Sequence, residues 1–139
     1  MRHADKLDLM KKEAVKTGLA PLGLPFSPAV RLGELLFVSG QGPIDKTGKV
    51  IPGDIKVQTR ATLENFKRIM EAAGSSMDCV LQTTVYLKDL AEYSAMNETY
   101  SSFFNDPKPA RTTVQAGDVL FGMKVEIQGI ACVPEKQKK

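Results

Sequence analysis

The chain has 139 residues, of which 42% are hydrophobic and 25% are charged, and its formal net charge is +3. This length and composition are typical of one globular domain, and the charge is too small to indicate nucleic-acid binding by itself. No apolar run approaches the ~18 residues of a membrane span. We expect a single cytoplasmic domain over residues 1–139, with a flexible N-terminal extension over 1–11 and a polar tail over 135–139.

The scarcity of histidine and cysteine excludes several kinds of active site. The only histidine is His3, near the N-terminus, so the body of the chain cannot hold a Ser-His or Cys-His nucleophile or a zinc site built on imidazoles. The two cysteines, Cys79 and Cys132, are too few for a disulfide framework or a four-thiolate metal site. Both lie in apolar runs, which predicts buried free thiols.

Short runs of β-branched and aromatic residues between turn residues predict six strands. Gly33-Glu34 between the second and third strands predicts a two-residue hairpin, and the segment from Gly40 to Pro43 is expected to end the third. The fourth run is the densest in β-branched and aromatic residues, which predicts a central strand. The predicted strands cover residues 13–17, 29–32, 35–39, 80–87, 111–116 and 124–133.

Two helices are predicted over residues 54–73 and 90–104, where apolar residues recur every three or four positions. For the first helix, Asp54 is the expected N-cap and Gly74 the left-handed residue beyond the C-terminus. For the second, Asp89 has an acidic residue three positions later, which is the spacing of a capping box. The residues expected to face the core are Leu63, Phe66, Met70 and Ala73 in the first helix and Tyr93, Met96, Tyr100 and Phe103 in the second.

This order of elements predicts an α+β fold in which two helices cover one face of a mixed sheet. In the last strand Val125 and Ile127 alternate with Glu126 and Gln128, and in the strand before it Val114 lies between polar residues. The second face of the sheet is therefore half polar and half apolar. Such a surface suits an oligomer interface with a few wet sites better than it suits open water.

Two charged strand residues, Arg111 and Glu126, stand out because such residues rarely lie inside a fold without partners. One interpretation is a structural ion pair between strands. The other is a site in which Arg111 binds a carboxylate through two hydrogen bonds while Glu126 orients a water molecule or moves a proton. Ser39 and Gly40 at a strand end add a hydroxyl and an approachable backbone, although a tight turn explains them equally well.

Seven short segments of the chain occur in an order that is typical of one protein family. They are Val38–Pro43, Glu71–Gly74, Thr83–Leu90, Met96–Tyr100, Phe103–Phe104, Pro109–Thr112 and Val125–Ile127. Each segment is modest by itself, but in this order they closely resemble the RidA/YjgF family of reactive-intermediate (enamine/imine) deaminases. The resemblance covers nearly the whole chain.

The resemblance implies a chorismate-mutase-like (ferredoxin-like) α+β fold and a homotrimer whose sheets line a central β-barrel, with three sites between subunits. The implied activity is the hydrolysis of 2-imino acids, such as 2-iminobutanoate and 2-iminopropanoate, to 2-oxo acids and ammonia. It implies no cofactor and no metal. An iminium carbon is already electrophilic, so such an enzyme mainly needs orientation and one well-placed water molecule.

The resemblance also assigns roles to residues of this chain. Arg111 matches the arginine that binds the substrate carboxylate, and Glu126 matches the acid that positions the attacking water. We expect a nearby cation to keep Glu126 ionised. Ser39 and Gly40 match positions that line the cleft, and Asn97 matches a helix asparagine near the site.

Two positions of the expected substrate-binding set depart from the family pattern. Phe26 stands where many deaminating members have a tyrosine, so it keeps a ring but loses a hydroxyl donor. Thr113 stands where many have a cysteine, and it keeps a small polar group. These departures keep open a non-catalytic alternative, a regulatory module that binds a metabolite in the same cleft. An RNA-acting role in translation is a further alternative, which the small charge disfavours.

Overall fold

The computed structural model describes residues 2, 3, 5, 6, 11–17 and 23–134 of the chain. The predicted polar tail over 135–139 lies outside the described residues, and so does most of the predicted N-terminal extension. The strands and helices named below all lie between residues 13 and 132.

The described residues form one six-stranded mixed sheet, which confirms the predicted fold class. Its strands are β1 (Glu13–Ala14), β2 (Ala29–Leu32), β3 (Leu35–Gln41), β4 (Val80–Leu87), β5 (Ala110–Gln115) and β6 (Val125–Cys132). Their order across the sheet is β1-β2-β3-β6-β4-β5. Only β4 and β5 run parallel, and every other pair of neighbours is antiparallel.

The β2–β3 hairpin forms as predicted, but β3 continues past its predicted end. Gly33 supplies the turn with a φ of +60°, which a residue with a side chain rarely adopts. The pairing of β3 with β6 shifts by one residue between Val38 and Gln41, which is a β-bulge. Because a bulge absorbs the extra residue and lets the ladder resume, Gly40 lies inside the strand instead of ending it.

Two helices, α1 (Ile55–Ala72) and α2 (Tyr93–Ser101), cover one face of the sheet. α1 begins where predicted, because the Asp54 carboxylate accepts a 2.9 Å hydrogen bond from a backbone N–H of the first turn. It ends before Gly74, whose φ is +77°. α2 is shorter than predicted, since a 3₁₀ turn over Leu90–Glu92 precedes it. Within the described ranges, no helix is both long and apolar enough to cross a lipid bilayer.

The hydrophobic core lies between α1, α2 and the covered face of the sheet. Leu63, Phe66 and Met70 of α1 have no exposed surface, as their spacing predicts. α1 lies so close to β6 that a Cβ atom on Gly129 would be 2.9 Å from the Phe66 ring and 2.7 Å from the Gln82 carbonyl oxygen. Only glycine therefore allows this contact between helix and sheet.

The predicted apolar stripe of α2 is only partly buried. Met96 and Tyr100 face the core, and Phe103 is half-buried beside it. Tyr93, however, is 43% exposed. The prediction that Tyr93 faces the core is wrong, because its ring lies over the Arg111 guanidinium instead.

The opposite face of the sheet is left open by the described residues, and we call it the open face. Leu35 and Phe37 of β3 are exposed there, in register with Cys132 and Ile130 of β6. Polar side chains share this face, so its mixed character is as predicted. Cys132 is only half-buried, and so is Cys79. The prediction of buried thiols is wrong: Cys132 lies on the open face at the end of β6, and Cys79, the last residue of a 3₁₀ turn before β4, packs against the core but stays partly exposed.

Candidate functional site

Arg111 and Glu126 lie on opposite faces of the sheet. Arg111 in β5 is in register with Thr83, a fully buried residue of β4 on the helix-covered face. Glu126 in β6 is in register with Tyr86, on the open face. β4 separates them, so strand spacings of about 4.8 Å and a rise of about 3.3 Å per residue place their Cα atoms about 14 Å apart. The ion pair considered from the sequence does not form, and one chain does not bring the two residues into one site.

The Arg111 guanidinium is held by side chains of α2. Its Nη2 donates to the Asn97 Oδ1 at 2.7 Å and to the Tyr93 hydroxyl at 3.2 Å. Its Nη1 lies 4.0 Å from the Met96 sulfur. The structure therefore brings together Arg111 and Asn97, two of the predicted site residues, and adds two neighbours from the same helix.

Two aromatic rings also contact the Arg111 guanidinium. Its Cζ lies 4.7 Å from the centre of the Tyr100 ring and 5.5 Å from that of Tyr93. The Tyr100 hydroxyl is hydrogen-bonded to Thr83 Oγ1 at 2.7 Å, and burial raises the pKa of Tyr100, so its phenol stays neutral. Among the described residues, no carboxylate lies within ion-pair distance of Arg111. The guanidinium is thus oriented but keeps donors for an external anion.

Tyr93 is a site residue that the sequence reasoning missed. Its hydroxyl accepts a hydrogen bond from Arg111. The pKa of the Tyr93 phenol is lowered, mainly by its hydrogen bond with Asn97 and next by its hydrogen bond with Arg111. The spacing of Tyr93 and Asn97 contained the signal, because residues four apart on a helix lie side by side. The periodicity predicts Tyr93 in the core because its ring continues the apolar stripe of the second helix.

Glu126 forms a second, separate cluster with the bulge in β3. A Cβ atom on Gly40 would lie 2.8 Å from the Glu126 Cδ, so the carboxylate packs directly against the Gly40 backbone. Burial raises the pKa of Glu126 above its usual value. The described residues place no cation beside this carboxylate, so the expected cation that would keep Glu126 ionised is not supplied by these residues of the same chain.

Ser39 and Phe26 lie near the same bulge. The Ser39 hydroxyl donates to the Ser27 carbonyl oxygen at 2.6 Å, and the Ser39 N–H donates to the Pro28 carbonyl oxygen at 3.0 Å. These bonds fix the preceding loop to the end of β3. Phe26 directly precedes Ser27 in that loop and is 61% exposed. A ring this exposed is available to cover a bound molecule or another copy of the chain.

Thr113 lies with the Arg111 cluster. It is two residues beyond Arg111 in β5, on the same face, in register with the buried Val85. Its hydroxyl oxygen is buried and has no hydrogen-bond partner among the described residues. The predicted site residues therefore fall into two half-sites: an arginine half-site (Arg111, Asn97 and Thr113, with Tyr93) and a glutamate half-site (Glu126, Gly40 and Ser39, with Phe26).

Comparison with known proteins gives consistent matches over nearly the whole chain. Residues 17–133 match the model of the family described as Endoribonuclease L-PSP. The chain is 47% identical over 122 residues to RutC family protein PH0854 of Pyrococcus horikoshii, covering 86% of this chain and 97% of that protein. It is 38% identical over 127 residues to the 2-iminobutanoate/2-iminopropanoate deaminase of Escherichia coli, covering 88% and 98%.

A solved structure agrees with the fold. The crystal structure of the E. coli YjgF gene product superposes with a TM-score of 0.78 at 36% identity, covering 86% of this chain and 98% of that one. The chain therefore belongs to the Endoribonuclease L-PSP family, which is the YjgF/RidA family that its ordered motifs resemble.

Proposed function

We propose that this protein hydrolyses small 2-imino acids, such as 2-iminobutanoate and 2-iminopropanoate, to 2-oxo acids and ammonia. The observation that carries the proposal is the Arg111 guanidinium, which is oriented by Asn97 and Tyr93 and has no carboxylate partner among the described residues. The named activity of the E. coli relative supports the same chemistry.

Arg111 binds the carboxylate of the substrate. A guanidinium presents paired N–H donors that match the two oxygens of a carboxylate, and here one face of the cation is already occupied by the Tyr100 ring. Because Asn97 and Tyr93 fix Nη2, little side-chain freedom is lost on binding. The fixed carboxylate then sets the position of the imine carbon next to it.

Glu126 acts on the water molecule. Its carboxylate accepts a proton as the water oxygen bonds to the imine carbon, and the C=N π electrons move to nitrogen, which takes up a proton. In the resulting carbinolamine the proton held by Glu126 passes to the amine nitrogen, the C–N bond breaks as ammonia leaves, and the hydroxyl loses its proton to form the carbonyl of the 2-oxo acid. Burial raises the pKa of Glu126 above its usual value, which makes the ionised carboxylate a stronger base.

A homotrimer is part of this proposal, because Arg111 and Glu126 point away from opposite faces of one sheet. The arginine half-site of one copy can meet the glutamate half-site of another only across an interface between copies. The exposed Leu35 and Phe37 on the open face provide apolar area for such an interface.

A coupled assay tests the proposal. Threonine dehydratase generates 2-iminobutanoate in the presence of semicarbazide, which traps the free imine. The wild type is expected to suppress semicarbazone formation. Arg111→Ala should lower kcat/KM by about 100-fold or more, since a paired charged hydrogen bond is worth roughly 3 kcal/mol. Arg68→Ala, which removes an exposed arginine of α1, is the matched control and should be unchanged.

Arg111→Lys keeps the charge but not the paired donors. Circular dichroism checks that each variant is folded.

If the wild type matches the blank with both 2-iminobutanoate and 2-iminopropanoate, the enzymatic proposal is overturned. Two binding measurements then distinguish the alternatives. Arg111-dependent binding of 2-oxobutanoate without turnover would then indicate a metabolite-binding module. RNA binding that weakens steeply with salt would indicate the RNA-acting role.

A further inference from the structure

The two cysteines of the chain lie beside each other where β4 begins and β6 ends. β4 and β6 are antiparallel, and Val80 pairs with Ala131. Cys79 is the last residue of a 3₁₀ turn and directly precedes Val80, and Cys132 directly follows Ala131. The side chains of Cys79 and Cys132 contact each other. Paired residues in antiparallel strands have Cα atoms about 4.5–5.5 Å apart and disulfides span about 4.4–6.8 Å, so the two neighbours of this pair lie close to the separation that a disulfide requires.

Hydroxyl groups surround the pair and make the two thiols unequal. Ser76 Oγ lies 3.7 Å from the Cys79 sulfur, and Ser75 Oγ donates to the Cys132 carbonyl oxygen at 2.6 Å. Burial acts to raise the pKa of the Cys79 thiol, but hydrogen bonds from Ser75, Ser76 and Cys132 outweigh it and leave that pKa below its usual value. Burial raises the pKa of Cys132, and the contact with Cys79 raises it further.

Both sulfurs are within reach of a small oxidant. Cys79 and Cys132 are half-buried, at the start of β4 and the end of β6. Cys132 is six residues from Glu126 along β6, a separation of about 20 Å. The hydrolysis proposed above therefore uses neither thiol.

We propose that Cys79 and Cys132 are a peroxide-reactive dithiol that closes reversibly into an intramolecular disulfide. The Cys79 thiolate attacks one oxygen of a hydroperoxide, the O–O bond breaks, and the leaving oxygen departs as water or an alcohol after protonation. Cys79 becomes a sulfenic acid. The Cys132 sulfur then attacks the Cys79 sulfur, the S–O bond breaks, and a second water leaves. Two thiols are oxidised by two electrons and one peroxide is reduced.

The experiment treats the full-length protein with hydrogen peroxide and follows thiol content and intact mass. In the wild type both thiols should disappear together, with loss of the mass of two hydrogen atoms per chain and full recovery on addition of dithiothreitol. Cys132→Ser should stop at the sulfenic acid, which dimedone labels on Cys79. Cys79→Ser should react at least about ten-fold more slowly, because the remaining thiol has the higher pKa.

Reduced wild type and both serine variants should have equal circular dichroism spectra, which shows that the substitutions leave the fold intact. Three outcomes would overturn the proposal: both thiols survive peroxide that oxidises free cysteine, the disulfide joins two chains instead of one, or each single variant gains oxygen as fast as the wild type loses thiol. Because thiols are measured directly, a failure of the deaminase proposal does not affect this test.

Discussion

Gly40 is the residue that sets where the Glu126 carboxylate lies. The carboxylate packs against the Gly40 backbone at a distance that leaves no room for a side chain, since a Cβ atom there would be 2.8 Å from the Glu126 Cδ. The bulge in β3 lies at this point, between Val38 and Gln41. If Glu126 is the base of the proposed reaction, a glycine at position 40 is needed to position its carboxylate, although glycine weakens a strand.

Gly40→Ala is expected to lower kcat for imine hydrolysis by about 10-fold or more, because a displaced carboxylate no longer holds the water in line. The coupled semicarbazide assay measures it. Gly117→Ala is the control, since a Cβ atom at Gly117 meets no atom within 4 Å and its backbone is not in the left-handed region. Equal activity of the two variants would contradict the positioning role of Gly40.

The ionisation of Glu126 predicts a pH dependence. The reaction needs the ionised carboxylate, and burial raises the pKa of Glu126 in the folded protein. Activity should therefore fall on acidification with a midpoint above the value of about 4.3 for a free glutamate. The measurement is kcat/KM against pH, with uncatalysed hydrolysis subtracted at each point. Glu126→Gln should lose this dependence together with most of the activity; a midpoint at or below the ordinary value would argue against Glu126 as the base.

At the scale of elements, α1 and β6 carry the packing that supports both half-sites. Asp54 caps the N-terminus of α1. The middle of α1 packs closely against Gly129 of β6, the strand that also carries Glu126. α2 has the other task, because Asn97 and Tyr93 on one of its sides hold Arg111. One helix thus stabilises the sheet while the other orients the charged side chain.

Asp54→Ala removes the N-cap of α1 and should lower the free energy of unfolding by about 1 kcal/mol. Urea unfolding at one fixed protein concentration measures it, because subunit association also contributes to apparent stability. Asp54→Asn keeps an oxygen that accepts from the Val57 N–H and should retain most of the stability. A loss as large in the Asn variant as in the Ala variant would show that the capping hydrogen bond to the Val57 N–H is not what stabilises α1.

At the scale of the whole molecule, the proposed reaction predicts that activity depends on association, because the two half-sites of one chain lie apart. Arg111→Ala and Glu126→Gln should each be nearly inactive alone. If each active site takes its arginine from one copy and its glutamate from the next, random mixed trimers should regain about one quarter of wild-type activity, because one site in four combines two intact half-sites. The two variants are unfolded, mixed in equal amounts, refolded and assayed.

Each variant refolded by itself is the control for this complementation. Activity of the mixture equal to the mean of the two controls would contradict a site shared between copies. Sedimentation of the refolded mixture in the same buffer measures whether the copies have associated.

Local structure and family membership could be predicted from the residues alone. Periodicity, capping residues and turn glycines predicted the hairpin, α1 and β4 to within about two residues, because these signals act between residues close along the chain. The ordered motifs identified the YjgF/RidA family, and the residue types excluded imidazole chemistry. Arg111 and Glu126 could be named in advance because charged residues are unusual inside strands, whereas Asn97 was named only through the resemblance to the family.

The grouping of these residues depends on the tertiary structure. Strand order depends on pairing between distant segments, so spacing along the chain could not show that β4 separates Arg111 from Glu126 or that they face opposite sides. Contacts between distant segments also make Tyr93 a partner of Arg111 and bring Cys79 beside Cys132. The sequence specifies the type of each side chain, whereas contacts between segments far apart in the chain determine which side chains lie together.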